Sequence, residues 1–242
     1  MKHHRIVLIP TYNEVENIQP LYDSIRREYD WDLMFIDDSS PDGTAQRIQK
    51  LVEKDPGVQL LSRKVKEGLG QAYREAFQKV YESDRWDRIF MMDADLSHQS
   101  MHLKAIDIAL DDHAFVVGSR YLKGVSVLNW SIIRLNLSYS ANLYIRLLTG
   151  MPFSDCTSGF RGFHSDLLSL LLSYDIKSSG YAFLVETLYD VWKNGTDIGE
   201  VPIIFVERES GNSKVSPQVF IESLITPFRL RIKSLFGGKV CQ

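Results

Sequence analysis

The chain of 242 residues has few cysteines, no long apolar run and no marked excess of either charge. Its two cysteines, Cys156 and Cys241, lack the spacing of a metal site, and together with the absence of a signal peptide they indicate a reducing compartment. No uncharged apolar stretch reaches the roughly 18 residues of a membrane-spanning helix. Lys and Arg number 28 against 31 Asp and Glu, so the composition gives no sign of nucleic-acid binding.

The hydrophobic content of 44% is enough for a substantial core, and the length fits a single domain over residues 1–242. Short apolar runs alternate with helical patterns along the first half of the chain. Strands are predicted at residues 6–9, 33–36, 58–61, 89–92 and 115–117, and helices at about 16–29, 44–54, from 68 onward and 101–110. This alternation predicts an α/β fold with a mostly parallel central sheet and helices on both faces.

Two acidic clusters come directly after predicted strands. Asp37 and Asp38 follow the second strand, and Asp93 and Asp95 follow the fourth. Ligands of parallel sheets bind beyond the carboxyl ends of the strands, so we expect these carboxylates near a ligand. In an extended segment Asp93 and Asp95 project to the same side. Two adjacent anions there suit Mg²⁺ or Mn²⁺, although a solvated acidic turn is the alternative.

Further polar segments flank these strands in a defined order. They read PTYNE (10–14), DDSSPDGT (37–44), GLGQAY (68–73), MDADLSH (92–98), GSRY (118–121), DCTSGFR (155–161), YAFLVE (181–186) and FVERESGNSK (205–214). Together they resemble family 2 glycosyltransferases and, within that family, the dolichol-phosphate (polyprenol-phosphate) mannose synthases. The resemblance extends from Ile6 to Lys214, and its specificity comes from the number of segments in register, since any one alone is weak.

The resemblance implies a nucleotide-diphospho-sugar fold of the glycosyltransferase-A type. It also implies GDP-mannose as the donor and a polyprenyl (dolichyl-type) phosphate as the acceptor. By the same likeness, Pro10, Tyr12, Glu14 and Asp38 are expected to line the nucleoside pocket. Gly68 would let the backbone approach the donor closely, as glycine permits.

The same likeness places the Asp93-Ala94-Asp95 segment against the donor and the metal ion. Asp95 is expected to be the principal ligand of Mg²⁺ or Mn²⁺ beside the diphosphate. Asp93 is expected to approach both the ribose and the metal, with Ser97 close to the same ion. The metal would act as a Lewis acid on the leaving GDP.

The acceptor of such a reaction carries negative charge at pH 7, so its oxygen needs alignment rather than a general base. Arginine forks and other cations supply that alignment. The candidates for binding the phosphate are Arg120, Arg134, Ser138, Arg208 and Lys214. Asp95, Arg120 and Arg134 are the predicted catalytic residues, and the resemblance implies direct displacement with inversion.

Residues 1–121 are expected to form a nucleotide-sugar-binding half, 122–215 an acceptor-binding half and 216–242 an amphipathic tail. The stretches 125–148 and 219–236 mix apolar, aromatic and basic residues, which is typical of interfacial helices, although ordinary packing on the core explains the pattern equally well. We therefore expect a cytoplasmic protein with peripheral contact on the cytoplasmic face of a membrane. The interfacial stretches would have to dock on the membrane alone, unless a separate membrane subunit contributes.

Three positions depart from the pattern of the family. Relatives commonly carry Pro, Gly and Gln where this chain has Gln99, Val125 and Leu184. Leu184 weakens the mannose assignment, because it removes a polar group near the expected sugar pocket. A family 2 glycosyltransferase that uses another donor, such as UDP-glucose, or another acceptor therefore stays open as an alternative.

Overall fold

A computed structural model describes residues 4–174, Ser178, Gly180, 182–207 and 217–236. These residues contain nine strands: β1 Arg5–Thr11, β2 Asp32–Asp37, β3 Val58–Ser62, β4 Arg88–Met91, β5 Phe115–Ser119, β6 Val127–Leu128, β7 Arg161–His164, β8 Ile198–Pro202 and β9 Phe205–Val206. They also contain eight α-helices: α1 Ile18–Arg26, α2 Thr44–Val52, α3 Leu69–Ser83, α4 His102–Ala109, α5 Ile132–Thr149, α6 Leu168–Ser173, α7 Ala182–Lys193 and α8 Pro217–Phe236.

Seven strands form one sheet in the order β3-β2-β1-β4-β7-β5-β8, and β6 pairs with β9 in a small second sheet. All neighbours in the large sheet are parallel except at β7. Helices cover both faces, so β1 is buried on both sides: Ile6 and Leu8 enter one core cluster, and Val7 and Ile9 the other. The predicted mostly parallel α/β sheet is confirmed.

Strand β7 was missed by the sequence analysis, which treated residues 155–161 as a single loop. Residues 155–160 do form a loop, but Arg161 begins β7, which lies antiparallel between β4 and β5. The four residues of this strand read RGFH. Such a short segment with two basic residues shows no apolar run, so its position depends on tertiary pairing rather than on a local pattern.

The chain forms the other predicted elements with shifted ends. Helix α1 is shorter than the predicted 16–29, and β4 ends at Met91 rather than Met92. Helices α5 and α8 cover most of the stretches 125–148 and 219–236, and they pack on each other. Strands β7 and β8 belong to the predicted acceptor half, yet β7 lies between β4 and β5 of the first half and β8 forms the edge beside β5.

Candidate active site

The acidic loop after β4 is a bend rather than an extended segment. The strand ends at Met91, so strand alternation does not orient Asp93 and Asp95, as the sequence analysis assumed. Leu96 instead adopts the left-handed region with φ 62°, an uncommon conformation for a leucine. This turn brings the hydroxyl of Ser97 to 2.5 Å and its N–H to 3.2 Å from Oδ1 of Asp95, and both donate to that oxygen.

Asp93 belongs to the acidic loop and lies against the loop before β7. Its side chain is 31% exposed, and its backbone N–H donates to Nδ1 of His98 at 3.1 Å. His98 is buried, which lowers its pKa, so it accepts this bond as a neutral imidazole. A Cβ atom added at Gly159 would lie 3.3 Å from Oδ1 of Asp93, so this loop approaches the carboxylate closely and a side chain there would crowd it.

The electrostatic surroundings of Asp93 favour a cation. Poor solvation raises the pKa of Asp93, and the carboxylates of Asp95 and Glu14 raise it further, while the charge of Arg120 lowers it. No group of three or more His, Cys, Asp or Glu side chains in the described residues could hold a metal ion. The chain does offer two carboxylates and the Ser97 hydroxyl, an all-oxygen set. That set fits Mg²⁺ or Mn²⁺, which commonly take one or two carboxylates together with substrate phosphate and water.

The residues that are predicted to line the nucleoside pocket lie at or just after the ends of β1 and β2. The ammonium of Lys66 lies 3.5 Å from the centroid of the Tyr12 ring, and Pro10 is half-buried. Glu14 accepts a hydrogen bond from Asn17 Nδ2 at 2.7 Å, and the Glu14 backbone N–H donates to Thr44. Strands β1 and β4 are parallel neighbours, so this segment and the acidic loop lie at the same carboxyl edge of the sheet.

Asp38 has a structural role at this edge of the sheet. It is buried and forms an ion pair with Arg63, and it accepts the backbone N–H of Gly68 at 3.0 Å. Gly68 has φ 94°, which a residue with a side chain rarely adopts, so this turn depends on glycine. The carboxylate of Asp38 thus holds the loop that opens α3. Its predicted contact with the nucleoside stays a prediction.

Arg120 follows β5 and is clamped by a buried carboxylate. Its Nε and Nη2 donate to the two oxygens of Asp155 at 2.6 and 2.8 Å, and Nη2 also donates to Thr157. Burial would raise the pKa of Asp155, but Arg120 outweighs that effect and holds it below its ordinary value. The guanidinium carbon of Arg120 also lies 5.4 to 5.7 Å from the centroids of the Tyr121, Trp130 and Phe205 rings, which stabilise this cation further.

Arg134 and Ser138 lie on successive turns of α5 beside this clamp. Arg134 forms an ion pair with Glu207 and lies 4.3 Å from the centroid of the Trp130 ring. The Tyr121 hydroxyl donates to Ser138 at 2.8 Å, which connects α5 to the residue after Arg120. The other two predicted phosphate ligands, Arg208 and Lys214, lie outside the described residues.

Asn142 is a site residue that sequence reasoning missed. It is buried on α5; its Oδ1 accepts the backbone N–H of Cys156 at 2.8 Å, and its Nδ2 donates to Thr157. These bonds fix α5 against the loop that clamps Arg120. An asparagine inside an otherwise apolar helical stretch was the available signal, because a buried amide requires partners.

Comparisons with known proteins identify the family and the fold of this chain. The family model for glycosyl transferase family 2 matches residues 6–171, which is more than half of the chain. The chain belongs to glycosyl transferase family 2. As a family 2 glycosyltransferase it is an enzyme, and the resemblance described above is confirmed.

Curated relatives of this family 2 glycosyltransferase match it over most of their length. An undecaprenyl-phosphate mannosyltransferase of Micrococcus luteus is 35% identical over 234 residues, which is 96% of each chain. A polyprenol monophosphomannose synthase of Mycolicibacterium smegmatis is 37% identical over 87% of this chain and 80% of the relative. A dolichol-phosphate mannosyltransferase of Saccharomyces cerevisiae is 32% identical over 90% of this chain and 83% of the relative.

A solved structure supports the fold of this family 2 member. Glucosyl-3-phosphoglycerate synthase from Mycobacterium tuberculosis, crystallised with Mn²⁺, UDP and glucosyl-3-phosphoglycerate, matches with a TM-score of 0.67. It is 18% identical and covers 95% of this chain and 80% of its own. The predicted glycosyltransferase-A type of fold is thereby confirmed.

Proposed function

We propose that this glycosyltransferase transfers mannose from GDP-mannose to a polyprenyl (dolichyl-type) phosphate, with inversion and with Mg²⁺ or Mn²⁺. The observation that carries the proposal is that one loop lies against both an acidic and a basic group. The loop before β7 carries Asp155, which binds Arg120, and Gly159, which lies against Asp93 of the acidic loop. An activated sugar diphosphate and an anionic acceptor can therefore be held side by side. The three relatives named above, which are mannosyltransferases or mannose synthases of prenyl phosphates, support this proposal.

The donor side is assigned to the rim formed by β1, β2 and β4. Tyr12 and Glu14 would contact the nucleoside with Pro10, while Asp38 holds the Gly68 turn beside them. Asp93, Asp95 and Ser97 would hold the divalent ion, with Ala94 between the two carboxylates. When bound, that ion would offset the charge of the diphosphate leaving group.

The acceptor side is assigned to Arg120, Arg134 and Ser138, with Arg208 and Lys214 as further candidates. A phosphate oxygen of the lipid would attack the anomeric carbon of mannose as the bond from that carbon to GDP breaks. The electron pair leaves with GDP, so one inversion gives polyprenyl phosphate mannose. Alignment of the two anions by fixed cations then supplies most of the rate.

A lipid acceptor requires contact with a bilayer, and the helices beside the acceptor side supply a suitable surface. No helix in the described part of the chain is both long and apolar enough to cross a membrane. Helices α5 and α8 instead expose one apolar face, formed by Ile132, Ile133, Leu137, Leu147, Ile221, Leu224, Ile225, Phe228 and Ile232. We assign this apolar face to peripheral contact at the cytoplasmic surface of a membrane.

The proposal gives each of three segments of the single domain a different role. Residues 1–121 supply the donor side, 122–215 supply most of the acceptor side, and 216–242 include the membrane-facing part of α8. Arg120 is the exception, because it belongs to the first segment by sequence but to the acceptor side by position. A separate membrane subunit remains compatible with this division.

The test is a transfer assay with the purified full chain. Labelled GDP-mannose or UDP-glucose is mixed with a short polyprenyl phosphate, in Mg²⁺, in Mn²⁺ or in excess chelator. We expect a lipid-linked mannose product from GDP-mannose only, and none in chelator. Transfer from UDP-glucose alone, or equal transfer with the chelator, would contradict the proposed donor or the metal.

A further inference from the structure

Arg161, the first residue of β7, is a fully buried arginine without an ion pair. Its side chain has 0% exposure. Nε donates to the carbonyl of Ser158 at 2.8 Å and Nη2 to the carbonyl of Cys156 at 3.4 Å. Nη1 is buried and has no hydrogen-bond partner within the residues that the structure describes. The same residues place no carboxylate within ion-pair distance of this guanidinium.

Such an arginine is costly for the fold. Burial lowers the pKa of Arg161 to about 10, because the charged form has lost its hydration. Arg88, another buried arginine in the same sheet, differs because Asp107 and Asp111 both pair with it. Stability alone favours an apolar side chain of similar size at position 161.

The position of Arg161 connects it to the acceptor side. Its two carbonyl partners belong to the loop that also carries Asp155, the clamp of Arg120, and Gly159, which lies against Asp93. After burial, the carboxylate of Asp155 has the largest effect on the pKa of Arg161, which it raises. Arg120, Asp155 and Arg161 are therefore three buried charged groups, two positive and one negative.

This charge count matters for Arg120. The fork of Arg120 is bound by Asp155, and a pair that stood alone would be neutral and would attract a phosphate weakly. Arg161, whose fork binds the carbonyls of Cys156 and Ser158 in the same loop, adds a second buried cation near this pair. The half-buried carboxylate of Glu200 also contacts this loop, where it accepts from Ser154 and from the backbone N–H of Asp155 and keeps its negative charge. The two arginines therefore balance the two carboxylates, whereas without Arg161 the group would be net negative and would repel a phosphate.

We propose that Arg161 is a positioning residue for the acceptor phosphate. Its charge offsets the negative charge of Asp155, so that Arg120 stays electropositive toward the phosphate. Its contacts with the carbonyls of Cys156 and Ser158 hold the loop that carries Asp155. The inference rests on the proposed function, because it names the group that the acceptor side recognises. It concerns the acceptor only and leaves the nucleotide side unchanged.

The experiment compares the wild type with Arg161→Met, Arg161→Lys and the control Arg88→Met, each as the full chain. Three quantities are measured: the KM for a short polyprenyl phosphate, the KM for GDP-mannose, and the thermal midpoint with and without geranyl phosphate. Arg161→Met is expected to raise the acceptor KM on the order of tenfold or more, since one interior charge is lost at an effective dielectric constant of about 20. The donor KM and the thermal midpoint without ligand should stay close to the wild type.

The remaining variants distinguish an effect of the Arg161 charge from an effect on stability. Arg161→Lys keeps the charge and should recover most of the acceptor affinity, whereas Arg88→Met should lower the thermal midpoint and leave both KM values unchanged.

A lower midpoint with an unchanged acceptor KM in Arg161→Met would make Arg161 purely structural and overturn the inference. If Arg161→Met fails to fold, an acceptor KM of Arg161→Lys more than tenfold above the wild type would also overturn it. Geranyl phosphate that protects the wild type without any mannose transfer would refute the proposed function alone.

Discussion

At the residue scale, Asp95 is the side chain on which the donor assignment depends. The left-handed turn at Leu96 brings the Ser97 hydroxyl to the Asp95 carboxylate, and this hydrogen bond fixes Oδ1 of Asp95 in the acidic loop. Asp95→Ala should therefore lower the transfer rate by at least about a hundredfold, because the metal is expected to supply several kcal/mol at the leaving group. The assay is initial-rate transfer of mannose, with the thermal midpoint measured alongside.

Asp95→Asn is the matched control for charge. It keeps the size of the side chain and an oxygen that can accept from Ser97, so an equal loss in both variants assigns the effect to the negative charge. An Asp95→Ala protein that transferred mannose at the wild-type rate would show that the metal is held elsewhere or is not needed.

Tyr73 gives a second prediction at this scale. Its hydroxyl is buried beneath the site and has no hydrogen-bond partner in the described residues, whereas the partly buried hydroxyl of Tyr22 donates to Asp55 at 3.0 Å. Tyr73→Phe should leave the free energy of unfolding unchanged or raise it, because it removes an unpaired polar group. Tyr22→Phe should lower it by about 1 kcal/mol. Urea unfolding of both variants makes the comparison, and a loss above about 1 kcal/mol in Tyr73→Phe would reveal a partner for this hydroxyl.

At the element scale, the sequence predicted β1 to β5 and the helices between them, because each carries a local apolar period. It could not predict β7, whose place between β4 and β5 is decided by pairing with distant strands. The clamp of Arg120 by Asp155 spans 35 residues and has no local signature either. Sequence patterns thus located the carboxylates and arginines of the site, while their partners required the tertiary structure.

Asp107 joins three elements at the amino end of the sheet and predicts a pH dependence. It is buried on α4 and accepts from Arg5 on β1 at 2.7 Å and from Arg88 on β4 at 2.9 Å. Burial alone would raise the pKa of Asp107, but the bonds from the two arginines outweigh it, so the pKa lies below its ordinary value. Its stabilising contribution is therefore present above the unfolded pKa of about 3.9 and is lost as the pH falls through the lower folded value.

Asp107→Asn should accordingly lower the free energy of unfolding by roughly 3 kcal/mol at pH 7, since it removes the buried carboxylate that pairs with the buried Arg88 and the half-buried Arg5. The difference from the wild type should shrink as the pH falls below about 4. Asp111→Asn is the control, because Asp111 contacts the same Arg88 from an exposed position and should cost less than about 1 kcal/mol. A constant difference between Asp107→Asn and the wild type from pH 7 to pH 3 would refute this role.

At the scale of the whole molecule, polar contacts orient α8 so that the apolar face points outward. Arg229 and Lys233 of α8 pair with the buried carboxylates Glu186 and Asp190 of α7, and the Tyr144 hydroxyl of α5 donates to the carbonyl of Leu224. Arg229 and Lys233 thus anchor α8 to the interior. The exposed surface of α5 and α8 includes the residues of the apolar face, and Arg134 and Ser138 of the acceptor side lie on the same helix α5.

This arrangement predicts membrane binding that can be separated from nucleotide binding. The double variant Ile133→Gln with Leu147→Gln alters two side chains of the apolar face that are 81% and 76% exposed, so folding should be unaffected. Its binding to lipid vesicles, measured by co-sedimentation, should fall by about tenfold or more, because each of these side chains loses its apolar contact with the bilayer. Ile108→Gln on α4, which is 56% exposed but lies outside the apolar face, should bind vesicles as the wild type does. All three proteins should be protected equally by GDP with Mn²⁺ against thermal unfolding. Equal vesicle binding by the double variant and the wild type would remove the apolar face from the account of how this enzyme reaches its lipid acceptor.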